Sequence, residues 1–241
     1  MTDIEDDVFR AIPLSAGTVR KRSLVLAAVV SRAGVEGDPD RTEARSYCEE
    51  VRAWLHSNHL DGELEPREEA IMRAPLGTLD RELAVRGAWA VEGLAVLAWA
   101  LGDTEFPPHD TTVDPYDTCN VVGLLAESVR KLVQESRLRS PAELQAAREL
   151  NYALHVEYVA RLRGRLSGKF SRRVCLDWLT LLGLREETLL VDGELLCCAS
   201  PISSAPISAI KDCVSILTER QRASIWLVEE EPTLWDTIPD V

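Results

Sequence analysis

Several small groups of residues in the 241-residue chain combine types that could do chemistry. The first is Glu92, a lone carboxylate inside the apolar run RGAWAVEGLAVLAWALG at 86–102. An isolated ionised carboxylate in a dry core costs more than a domain can tolerate, so Glu92 is predicted to be paired, protonated or turned into a polar cleft. Arg220 and Arg222, beside Glu219 in LTERQRASIWL, are the cations that could meet it. Two readings stand. In one, a buried Glu–Arg pair fixes how two helices register. In the other, Glu92 is an acid/base or anchor, Arg220 and Arg222 hold an anion, and Trp89, Trp99 and Trp226 wall a pocket.

His56 and His59, in HSNH, have the i, i+3 spacing that places two imidazoles on one helix face, with Cys48 or Asp61 as further ligands. No matching second pair accompanies them, so a surface pair at a helix end is expected and no metal is assigned. His155, near Glu149, Tyr152 and Tyr158, is expected to be a satisfied, partly buried histidine, with a catalytic base as the sharper alternative. Six cysteines, Cys48, Cys119, Cys175, Cys197, Cys198 and Cys213, show no paired C-x-x-C spacing and read as reduced core residues. The adjacent pair Cys197 and Cys198 is unusual, yet is weak evidence of redox work. No G-x-S-x-G, P-loop or dinucleotide fingerprint occurs, and no cofactor is expected.

Charge narrows the partners. The formal net charge of −13 opposes nucleic-acid phosphates and anionic lipid over most of the surface. Residues 130–173 run the other way, with eleven Lys or Arg against four Glu. Most of these are expected to be solvated helix faces, but Arg161, Arg163 and Arg165 are candidates for binding an acidic protein partner. The acidic start MTDIEDDVFR is unlike a secretory signal, and no stretch reaches the roughly 18 apolar residues of a membrane span. A cytoplasmic location is the expectation.

The elements that must position these residues are mostly helical. Helices are predicted from Ser15 to about Ala33, from about Asp40 to His59, after Pro66, from a Thr78 cap through the Glu92 run to Gly102, and near 119–134. Residues 103–117 carry Pro107, Pro108 and Pro115 and read as a long connecting loop. Ser140-Pro141-Ala142-Glu143 is a capping box with proline at the first helical position, opening a helix to about Arg163. Further helices are predicted over 171–182 and 208–228. Asp192-Gly193, within TLLVDGELL at 188–196, marks a β-hairpin. The predicted architecture is mainly α: an acidic tail over 1–14, then one helical-bundle domain over 15–241 with a small hairpin.

In this order the chain carries Arg20-Lys21-Arg22-Ser23, the central Trp89–Gly102 helix, Leu138-Arg139-Ser140 with Glu143, Glu219-Arg220 through Arg222-Ala223 to Trp226-Leu227, and Trp235-Asp236. That pattern resembles a bacterial family, domain of unknown function 4272, over nearly the whole chain. Gln221 and Ile225 stand where the family often carries His and Asn. The resemblance implies a fold but no activity, substrate or cofactor. The functional expectation is therefore a non-catalytic protein-interaction module. The alternative is a small-ligand binder or enzyme built around Glu92, Arg220 and Arg222.

Overall fold

A computed structural model describes residues 14–165, 172–229, 234, 235 and 238, and for 172–175 the backbone alone. Nearly all of the acidic tail expected at 1–14 lies outside these residues, as do Lys169 and Asp236 and the side chains of Arg172, Arg173 and Cys175. The described chain is mainly α, with nine helices and a small antiparallel sheet.

Helices α1 (Ala16–Gly34) and α4 (Arg81–Ala100) form the centre. Over 23–30 of α1 and 90–100 of α4 the residues are apolar nearly all round, which suits helix segments buried on every side. One side of α1 packs on α4, and the other meets α2 (Arg41–Ser57) and α3 (Pro66–Arg73) over Leu24, Val25, Val51, Leu55 and Ile71. On its far side α4 packs against α9 (Ile207–Val228), which in turn lies along α7 (Pro141–Leu162). The main core runs through these helices, from Leu94 and Leu97 to Leu150, Leu154, Ile210 and Leu217. At one point α1 and α4 come so close that a Cβ on Gly87 would fall 2.7 Å from that of Ala33.

By length and mean hydropathy, 1.3 over an 18-residue window, α4 could cross a membrane, although the chain reads as having no such stretch. Two-thirds of that window is buried against neighbouring helices, which accounts for its apolar character.

Local signals set most boundaries. The Ser140 side chain accepts from the Glu143 amide, and the Glu143 carboxylate accepts from the Ser140 amide, forming the capping box read from sequence. The strands β1 (Leu190–Val191), β2 (Glu194–Cys197) and β3 (Ser200–Pro201) lie in that order. Asp192 (φ 52°) and Gly193 (φ 82°) make the expected tight turn between the first two.

Three details differ from the predicted elements. The helix expected near 119–134 is two short ones, α5 (Pro115–Val121) and α6 (Val129–Glu135). Pro115 sits at the first helical position, where its missing N–H is harmless, and Asp114 caps the turn. The chain then reverses through Gly123 (φ 92°) and Leu125 (φ 61°). Second, α4 is capped by Asp80 rather than Thr78, whose hydroxyl donates to the Pro75 carbonyl. Third, β3 follows a turn made by Cys198 (φ 50°) and Ala199 (φ 63°), residue types that give no turn signal. The remaining helix, α8 (Arg172–Leu182), packs on α7 and ends at Gly183, as expected.

Candidate functional site

The structure brings Glu92 and Arg220 together in the core, both with no exposed surface. Arg220 Nε and Nη2 donate to Glu92 Oε2 at 3.0 and 2.7 Å. The remaining guanidinium donors reach the loop: Nη1 donates to the Pro107 and Pro108 carbonyls, and Nη2 to Thr111 O at 2.9 Å. Glu92 Oε1 accepts from the Val113 amide at 3.1 Å. Burial pulls the Arg220 pKa down, and Glu92 opposes that shift. The loop predicted over 103–117 ends at Asp114, just before α5 begins, and is tied down by an ion pair between α4 and α9.

Arg222 lies elsewhere. Its Nη1 sits 2.6 Å from both carboxylate oxygens of Glu219. The two line a small cleft of about 50 Å³ with Arg67, Glu68, Arg86 and Trp235. The tryptophans do not wall a pocket at Glu92. Trp99 packs edge-on against Phe106 and lies under Arg139, Trp226 meets Trp235, and Trp89 is half-buried. His155 is buried, with Nε2 3.2 Å from Thr218 Oγ1. His56 pairs with Asp61 on the surface, while His59 (φ 56°) has already left α2.

The other arginines singled out by sequence pattern behave like Arg220. Arg20 grips Asp103 with two donors at 2.6 and 2.8 Å and also reaches Ser136 Oγ and Val122 O. Arg22 grips Glu68 in the same two-pronged way, and Trp235 lies 5.1 Å from its guanidinium. Arg139 donates to Trp99 O, at the carboxyl end of α4. Guanidinium suits these places because its fixed fork of five donors satisfies carboxylates and stray carbonyls at once.

The model of a family described as a domain of unknown function, DUF4272, matches residues 7–187. The chain belongs to the DUF4272 family. No curated protein and no solved structure matches it. All three strands and α9 lie beyond the DUF4272 match, yet Arg220 on α9 completes the Glu92 pair on α4 within it. Gln221 is buried, and its Oε1 has no hydrogen-bond partner among the described residues.

Two further places on this DUF4272 protein combine accessibility with chemistry. On α7, Tyr152 and Val156 are 46% and 43% exposed. Val156, Val159, Ala160, Arg163 and Arg165 line a groove of about 270 Å³ that has His155 at its edge. Arg163 and Arg165 are exposed, whereas Arg161 is occupied with the Ile202 and Ser203 carbonyls. The second place is the β2–β3 turn, where the sulfurs of Cys197, Cys198 and Cys213 lie within 4.8 Å of one another. Sequence spacing hides this group, because Cys213 joins it from α9, well separated along the chain. The adjacent Cys197-Cys198 pair was its one visible sign.

Proposed function

We propose that this protein is a non-catalytic, cytoplasmic interaction module that docks an acidic, partly apolar protein segment along the outer face of α7. The observation that carries this reading is the stripe of exposed Tyr152 and Val156 and half-buried Val159, followed by exposed Arg163 and Arg165. Tyr152, Val156 and Val159 recur at helical spacing along α7, and Arg163 and Arg165 follow just past its C-terminal end. The strip offers apolar contact along its length and positive charge at its end, on a molecule that is otherwise acidic. Arg161, first grouped with these two arginines, belongs to the fold's internal bonding. The cytoplasmic part of the reading rests on cysteines that are free thiols among the described residues, which suits a reducing compartment.

The small-ligand alternative has less to stand on. Glu92 and Arg220 are engaged with each other and with the loop, and the cleft beside Arg222 holds about 50 Å³. Ligand pockets commonly run to roughly 300–1,000 Å³.

The test is a photo-crosslinking side chain at Val156, compared with the same protein carrying Arg163→Glu and Arg165→Glu. The expected result is one protein crosslinked in high yield through an acidic segment and lost on charge reversal. A crosslinking pattern unchanged by the reversal, or none at all, contradicts the reading.

A further inference from the structure

We propose that Cys197, Cys198 and Cys213 form a binding site for one soft, thiophilic cation. The sulfurs of Cys197 and Cys213 are 3.7 Å apart, both in fully buried residues. Zinc–sulfur bonds of about 2.3 Å in tetrahedral geometry leave neighbouring sulfurs about 3.8 Å apart, so these two already stand as ligands of one ion would. The third sulfur, on exposed Cys198, lies within 4.8 Å of both.

The backbone of the β2–β3 turn independently favours this convergence. Successive residues of a strand point to opposite faces, which would part Cys197 from Cys198. Cys198 instead adopts φ 50° and Ala199 φ 63°, left-handed conformations that disfavour side chains. Such a turn usually uses Asn-Gly or Asp-Gly, as the β1–β2 turn of this same sheet does. Here the less suitable pair Cys-Ala is held in place by the fold. Asp110 accepts from the Cys198 amide at 2.6 Å, and its carbonyl takes the Cys198 thiol at 3.6 Å. His109 Nε2 lies 2.8 Å from Leu196 O, to which the Tyr158 hydroxyl donates at 2.7 Å. The loop clasped by Arg220 thereby braces the strand that carries Cys197 and the turn that carries Cys198.

Three thiols select a soft ion over magnesium or calcium, which take oxygen ligands. Monovalent copper could be satisfied by three sulfurs. Zinc would keep a fourth, open position on the exposed Cys198 side. A free thiol, with an ordinary pKa of about 8.5, is mostly protonated at neutral pH, and a metal takes its thiolate form. Binding therefore exchanges each thiol proton for a metal–sulfur bond, releasing up to three protons to solvent without any redox change.

The experiment uses the full chain, reduced and stripped of metal under anaerobic conditions. It is titrated with zinc against a chromophoric chelator and with monovalent copper against a copper-selective one, and stoichiometry is read by native mass spectrometry. Cys198→Ser is the main variant because its side chain is exposed and its loss leaves the core intact; Cys48→Ala is the control. One equivalent of zinc or copper, affinity rising with pH, at least about tenfold weaker binding in Cys198→Ser and no change in Cys48→Ala support the site. Binding of neither ion, equal binding by wild type and Cys198→Ser, or protein isolated with Cys197 and Cys213 joined in a disulfide overturns it.

Discussion

Arg220 uses every guanidinium donor: two bonds go to Glu92 and three to loop carbonyls. Removing the carboxylate leaves a buried charge uncompensated, so Glu92→Gln should lower stability by about 3–5 kcal/mol in urea unfolding. Arg220→Lys should not rescue the fold, because an ammonium has three donors and no planar fork. In many proteins a double substitution to apolar residues restores a broken buried pair. Here the Glu92→Leu, Arg220→Leu double variant should stay well below wild type, because the Pro107, Pro108 and Thr111 carbonyls lose their donor. His109 adds a pH dependence. Burial pulls its pKa down, Asp110 opposes this, and nearby Arg220 adds to it. The folded state therefore binds its proton less readily than the unfolded chain, and stability should fall as pH drops below the ordinary value of about 6.5. His109→Gln should flatten that slope in unfolding curves taken between pH 7 and 5.

At the scale of elements, legibility followed the locality of the signal. Ser140 and Glu143 act within one helical turn, and Asp192-Gly193 within one hairpin, so both were readable. Ser140→Ala should cost about 1 kcal/mol in thermal or urea unfolding. What was not readable depended on distant partners. Nothing in the spacing of Glu92 separates Arg220 from Arg222, since both lie in the same short motif. Only the placement of α9 against α4 decides it. The reversal at Gly123 and Leu125 and the Cys198-Ala199 turn are likewise imposed by tertiary packing. Gly93 shows the same dependence. A Cβ there would fall 2.7 Å from Trp235 Cζ2 and 3.3 Å from the Glu219 carbonyl. Gly93→Ala should therefore destabilise by about 1–3 kcal/mol through overpacking, although alanine is the better helix former. Changed tryptophan fluorescence would show that Trp235 has been displaced.

Across the whole molecule, the residues that first suggested chemistry hold helices and loops together. Arg20, Arg22, Arg139 and Arg220 each join segments far apart in sequence, and the proposed working surface is the outer strip of α7. Partner binding through that strip should weaken with salt, because Arg163 and Arg165 are exposed charges. It should survive Glu92→Gln at temperatures where that variant remains folded. The claim that Glu92 is a fastening for the loop is tested most directly by hydrogen exchange on Glu92→Gln under native conditions. The expected result is lost protection of the 109–113 amides, Val113 above all, with α1 and α7 still protected. Wild-type protection throughout 109–113, together with unchanged stability, would contradict the account and return Glu92 to consideration as a reactive group.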